Sequence, residues 1–370
     1  MVNFAEAVAR VPDLASGLMR LLPREFQEAF VQSPNVFMFF MSMGLAAVLI
    51  SAFWMLSGMG KASRVARIAL RAQALKRSKD HRALVLIGEI EGGDHLLRQE
   101  MKEAVEDNFG LFSFEQDVQV DLFPIRLKTL APRAHPESRR RVAVEAADAL
   151  ERSAADVIIW GKRSWGRLDL RITTLPSYGR VHEVQDMQLG WRTGRPDELV
   201  QRALAFVLAR KARPVLHRPQ DYKPERLQPI VEALDQMVEA KSAEVSEGLQ
   251  LDILSDFASG ALSLGERGGH IKWLSKSLDA RQRYLDRVDR TTDPAAWGAA
   301  QQEIGRALTA LGEREGARDK LEEGASRLRL AMDALRSTDS LQQAEVALRA
   351  LQRAENTLQQ RRRVGLRWPG

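Results

Sequence analysis

The side chains that most often carry chemistry are sparse in this 370-residue chain and poorly spaced for it. There is no cysteine, which excludes disulfides, thiolate metal sites, cysteine nucleophiles and iron–sulfur ligation. The six histidines, His81, His95, His135, His182, His217 and His270, are scattered, and no two stand four apart as they would on a metal-binding helix. Glu89, Glu91 and Asp94 cluster at the end of an apolar run, where an α/β fold could hold a cation; a solvated loop that caps the next helix explains the same residues. Gly161 and Gly166 have the glycine spacing of a phosphate-binding loop. Arg167 and Leu168, however, occupy the places where Lys and Ser or Thr must meet phosphate and magnesium. The stretch ALSLG at 261–265 lacks the first glycine of a nucleophile elbow and follows a helix instead of a strand, so Ser263 reads as structural. The expectation is a protein that is not an enzyme, with no catalytic residue, cofactor or metal.

The elements around these residues divide along the chain. With 45% hydrophobic and 28% charged residues, there is enough material for two ordinary domains with buried cores, and too much charge for a polytopic membrane protein. Residues 36–58, VFMFFMSMGLAAVLISAFWMLSG, carry no ionisable group, and as a helix they would rise about 35 Å, enough to cross a bilayer core of about 30 Å. A transmembrane helix is therefore expected, and with it a single-pass protein of a bacterial inner membrane. Residues 1–35 form an extracytoplasmic amphipathic segment in this reading, with Phe4, Val8, Val11, Leu18, Leu22, Phe26 and Phe30 at helical steps and breaks at Pro12 and Pro23.

The net charge of +6 and pI near 9.7 belong to one place. The basic juxtamembrane segment, 59–80, carries Lys61, Arg64, Arg67, Arg71, Lys76, Arg77 and Lys79, with no acid between Lys61 and Lys79, so the rest of the chain is nearly neutral. By the positive-inside rule this places the larger part of the chain in the cytoplasm, with anionic lipid headgroups as partner of the basic segment. No aromatic side chain stands among these cations to stack on bases, and no nucleic-acid partner is expected. Ser42 and Ala46, with Ala47 and Ser51, place small residues four apart and suggest a homo-oligomer.

Residues 81–215 read as an α/β domain with a mixed sheet. Strand signals lie at 83–88, 118–125, 155–160, 167–173 and 181–189, and helical spacing at 94–108, 137–153 and 198–211, with Asp94 as N-cap of the first helix. The order β-α-β-α-β-β-β-α is expected to place its helices on one side of the sheet. The run ADVIIWGKRSWGRLDLRITTLPSYGRVHEVQDM resembles the carboxy-terminal half of the small α/β domain at the front of TolB-type periplasmic proteins. That resemblance implies an interaction module. The family's usual Pro-Phe ending of the opening strand is replaced here by Ile87 and Gly88.

Residues 216–245 read as a linker with a leading helix, and residues 246–370 as an all-α domain with a basic tail. SLGER at 263–267 aligns with ALGER at 310–314, 47 positions on, and a fainter copy is read at 347–351, 40 positions after Ala307. The segment AWGAAQQEIGRALTALGEREGARDKLEEGASRLRLAMDAL resembles one unit of the tetratricopeptide-repeat family. Trp297, Ile304, Gly305, Leu308 and Leu311 fall on its first helix, Gly312 follows in the turn motif, and Gly305 lets the paired helix approach. A plain helical hairpin bundle is the alternative, and a peptide groove and self-association remain open as uses. The sequence thus leads to a membrane-anchored, non-catalytic scaffold or assembly factor that recruits cytoplasmic protein partners. A tethered sensor, binding a small ligand or nucleotide through the α/β domain, is the second reading.

Overall fold

The computed structural model describes residues 43–44, 46–51, 66–78, 82–114, 117–130, 135–175, 184–192, 194, 197–212, 215–240 and 242–367. It separates into two units, residues 1–67 and 68–370. In the first unit the described helical residues are 43–44, 46–51 and 66–67. Among the described residues no helix is long and apolar enough to cross a membrane. This corrects the single-pass, inner-membrane reading. The eight described positions of the apolar stretch fall far short of the about 20 that a crossing requires, and the other residues of 36–58 lie outside the described ones. The amphipathic segment at 1–35 lies outside them as well.

The second unit begins with an α/β layer. Its sheet has five strands: β1 (Ala83–Glu91), β2 (Val118–Leu122), β3 (Val157–Ser164), β4 (Arg167–Thr174) and β5 (Gln185–Gly190). The spatial order is β2-β1-β3-β4-β5, with β1 parallel to both β2 and β3, and β4 and β5 added as antiparallel hairpins. β1 reads ALVLIG because it is central and covered on both faces, as parallel strands are. Helix α1 (His95–Asn108) connects β1 to β2, and α2 (Pro136–Ser153) returns across β1 to β3. Both crossovers join parallel strands but run in opposite directions along the sheet, and right-handed connection puts them on opposite faces. One face, through Val85, Ile87, Val157 and Leu170, packs on Leu97 and Met101 of α1. The other, through Leu84, Leu86, Ile158 and Trp160, packs on Ala146 and Leu150 of α2 and on Ala72 and Leu75 of the helical residues 68–78. Helices on one side only is therefore corrected to helices on both.

Local chemistry sets the joints. Asp94 accepts the amide of Leu97 at 2.8 Å and starts α1. Between β3 and β4, Trp165 (φ 50) and Gly166 (φ 78) are both left-handed, as a two-residue hairpin turn requires. A Cβ on Gly161 would lie 2.2 Å from the carbonyl oxygen of Asp169, so the close approach of β4 to β3 needs glycine there.

The remaining helices are α3 (Glu198–Ala212), α4 (Pro224–Ala240), α5 (Glu247–Gly268), α6 (Ile271–Leu285), α7 (Pro294–Glu315), α8 (Arg318–Ser337) and α9 (Leu341–Arg367). Helix α3 buries Val200 and every residue from Ala203 to Ala209, so its middle is covered all round. One face meets the sheet, and its core continues without a break through Leu227, Ile230 and Leu234 of α4 into Ile253 and Phe257 of α5. Residues 224–240 are the leading helix expected after the 218–224 segment, and its buried face belongs to the same core.

Candidate functional site: the cleft along the helical array

The helices repeat with a strict register. α4, α6 and α8 begin at Pro224, Ile271 and Arg318, and α5, α7 and α9 at Glu247, Pro294 and Leu341, each 47 positions after the one before. The pairs close on glycine. A Cβ on Gly265 would fall 2.6 Å from Leu274 of α6, and one on Gly312 would fall 2.8 Å from Leu321 of α8, the positions being 47 apart in both helices. Without a side chain at these points the backbones approach until leucine fills the gap.

Charged contacts repeat in the same register. Arg306 of α7 grips Glu266 of α5 with two parallel bonds, its Nε–Oε1 distance being 3.0 Å. Arg353 of α9 grips Glu313 of α7 in the same way, at 2.9 Å. Two further arginines close the preceding helix ends: Arg314 donates to the carbonyl of Glu266 and Arg361 to that of Glu313, both at 3.0 Å. A guanidinium at a helix C-terminus satisfies an orphan carbonyl and opposes the negative end of the dipole. The carboxylates beside Arg306 and Arg353 raise the pKa of each guanidinium, which is thereby held charged, against a desolvation that for Arg306 is the larger single influence. The Arg306–Glu266 pair is half-sheltered and contributes more than the Arg353–Glu313 pair, whose arginine side chain is 67% exposed.

Along this side of α5, α7 and α9 lies a cleft of about 720 Å³, whose lining also takes in Leu216, Pro219 and Gln220. Leu262, Ala299, Ala310 and Val346 give it apolar ground, while four arginines, 267, 306, 349 and 353, stand against two glutamates, Glu266 and Glu303. Three of the arginines are paired with carboxylates, Arg349 with its own-helix neighbour Glu345. Arg267 instead donates to the carbonyls of Gln220 (2.9 Å) and Tyr222, so its charge has no carboxylate partner among the described residues. Arg267 thus adds an uncompensated positive charge to the cleft wall.

Below the cleft a polar network joins four helices. Glu303 of α7 accepts from Ser259 at 2.9 Å and pairs with Arg281 of α6, which also reaches the carbonyl of Ser255 at 3.0 Å. Arg210 of α3 sits between Asp252 and Asp256 of α5, 3.0 Å from each. Burial pushes the Asp256 carboxyl up to about 6, with Arg210 opposing the shift. Ser263 lines the cleft, and its hydroxyl finds no partner among the described residues.

The residues singled out from sequence fall in several places. Gly305 approaches Leu328 and Gly324 of α8, Leu311 joins Leu262 and Leu274 in a small core, Leu308 is buried, and Trp297 lies under the guanidinium of Arg290 at 4.8 Å. Of the basic segment, Arg71 is engaged by Asp121 at the end of β2, and Arg67, Lys76 and Arg77 lie on the helical residues 66–78. Lys61, Arg64 and Lys79 lie outside the described residues, as do His81, His182 and most of the small-residue pairs' surroundings. Among the described residues no group of three or more His, Asp or Glu is placed to hold a metal ion, and Asp94 serves α1 as its cap. Sequence reasoning missed the pairs Glu266–Arg306 and Glu313–Arg353. Their signal was the recurrence of Glu, Arg and Arg at a constant 47, which the third copy, read 40 positions on, had obscured. No protein family, no curated protein and no solved structure matches the chain.

Proposed function

We propose that the helical half is a docking scaffold of the tetratricopeptide-repeat kind, non-catalytic, whose cleft receives a segment of a protein partner carrying acidic side chains. The observation that carries this reading is the cleft itself: about 720 Å³ of mixed apolar and polar wall, built by three helices in one register, with the unneutralised Arg267 in its wall beside Gln220. Such a volume lies in the range of sites that take a ligand or a peptide side-chain group. Complementary charge would steer an acidic segment in and fix its direction.

The polar ladder beneath supports rigidity. Contacts such as Arg306–Glu266 and Arg314 to the Glu266 carbonyl tie successive repeats, so the wall is formed before a partner arrives. A preformed wall spares the partner the ordering cost of binding. The second reading, nucleotide sensing by the α/β half, has less room. The cavity against its sheet measures about 100 Å³, and ligand sites of nucleotide size start at about 300 Å³.

The test is affinity capture with the full chain and with an Ala299→Trp, Ala350→Trp variant, whose indoles fill the cleft from opposite walls. Partners held by the native chain and lost from the variant support docking in the cleft. An identical set of partners from both chains would count decisively against it.

A further inference from the structure

We infer that the cleft holds its partner segment in an extended form and by the main chain, through the carboxamide of Gln302 and the hydroxyl of Ser263. This rests on the docking reading above and adds to it how the segment is recognised.

Two polar side chains are buried in the lining of the cleft: Gln302 of α7 is 7% exposed and Ser263 of α5 is 5% exposed. Neither side chain has a hydrogen-bond partner among the described residues. Three polar neighbours in the same lining are, by contrast, spent within the protein. Ser259 donates to Glu303 at 2.9 Å, Thr309 donates to the carbonyl of Gly305 at 2.8 Å, and Arg306 is paired with Glu266. A buried polar group without a partner lowers stability, because it gives up water and receives nothing in return. Apolar side chains at 263 and 302 would serve the fold better, so the two groups are placed for something that enters the cleft.

Both groups are neutral, and they add nothing to the charge match that Arg267 offers to acidic side chains. The neutral dipole that every protein segment presents, whatever its side chains, is the peptide unit. A carboxamide carries an acceptor and two donors, the complement of a peptide N–H and C=O, and a hydroxyl can meet either. Only an extended segment has these groups free, since a helix bonds them internally. The helices that carry the two residues touch through Leu262 of α5 and Ala307 and Ala310 of α7. Helices in contact lie about 8–10 Å apart, the length of about three residues of extended chain. One segment laid across the cleft can therefore meet both groups with its main chain while Arg267 takes an acidic side chain.

The probe is a fluorescein-labelled pool of acidic octapeptides, with two fixed glutamates and mixed residues elsewhere, titrated with the full chain and read by anisotropy. A second pool carries a methyl group on every other main-chain nitrogen. The first pool should bind saturably, because a site that holds the main chain tolerates mixed side chains. The methylated pool should bind at least about tenfold more weakly, and so should the first pool to a Ser263→Ala, Gln302→Leu chain, the scale of losing two neutral hydrogen bonds. The Tm of that double variant should stand at or above the native value, since two unpartnered buried groups are gone. No saturable binding of the first pool, equal binding of the methylated pool, or a double variant of lower Tm would each overturn the inference. If the double variant binds like the native chain while the Ala299→Trp, Ala350→Trp chain does not bind, docking in the cleft stands and main-chain recognition falls. If the chain with the filled cleft also binds like the native one, the docking reading itself falls.

Discussion

At the scale of single residues, Asp256 has the largest consequence for stability. Its carboxyl is buried among Arg210 and Asp252 on one side and Arg281 and Glu303 on the other, and burial lifts its pKa from 3.8 to about 6. A group whose folded pKa is raised binds its proton more tightly in the native state, so the stabilisation it gives is complete below the unfolded value and fades as pH rises through about 6. The two-unit shift corresponds to about 3 kcal/mol between the extremes. An Asp256→Asn chain, uncharged throughout, should therefore gain on the native chain between pH 5 and pH 7.5. The difference in Tm should move in its favour by several degrees across that window. A difference that stays flat with pH would show that the Asp256 proton is not retained by the fold. The same network explains why sequence did not reveal this residue: Arg210 and Glu303 are 46 and 47 positions away from it, on other helices.

At the scale of elements, the glycines decide which helices pair. Gly298, Gly305 and Gly312 stand seven apart on the face of α7 that meets Leu335, Leu328 and Leu321 of α8. Their counterparts 47 positions on, Glu345, Gln352 and Gln359 of α9, are polar and exposed. A repeat array needs a polar outer face where no further helix stacks, and α9 supplies it. Gly305→Ala should cost about 1–2 kcal/mol despite alanine's better helix propensity, since its Cβ would lie 2.6 Å from Leu328 and 2.9 Å from the carbonyl oxygen of Gly324. Gln352→Ala, at the matching place on α9, should change stability by only a few tenths of a kcal/mol. Urea midpoints of the two variants provide the comparison, and equal effects would mean that the two faces are not packed differently. The existence of these helices was legible from their 3.6-residue period. Their partners were not, because glycine at one position says that something comes close without saying what.

At the scale of the molecule, the sheet and the first helices of the array share one core. The middle of α3, Ala203 to Ala209, is buried all round, and the apolar side chains of β3 and β4 connect through it to α4 and α5. A fragment of residues 81–215, the α/β domain as the sequence divides the chain, would expose the side of α3 that α4 and α5 cover. It should lack a cooperative thermal transition by circular dichroism, whereas residues 68–291, which retain α4 to α6, should show one. A sharp, native-like melt of the shorter fragment would refute the continuous core. The reason the boundary was misplaced is physical. Glu198, Gln201, Arg202, Arg210 and Lys211 give α3 polar ends although its middle is buried all round, and the change from strands to helices along the chain suggested a break where the packing has none.

The sequence by itself determined the local elements. Alternation in β4, the apolar run of β1 and the cap at Asp94 act within a few residues and were readable there. It also contained the 47-residue register, in the match of 263–267 with 310–314. Only the tertiary structure decided the strand order, the opposite placement of α1 and α2, the joining of Glu266 to Arg306, and the meeting of Ser263 and Gln302 along one cleft. Each of these joins residues tens of positions apart. Which distant side chains meet is settled by how apolar faces bury together, and no local pattern carries that choice.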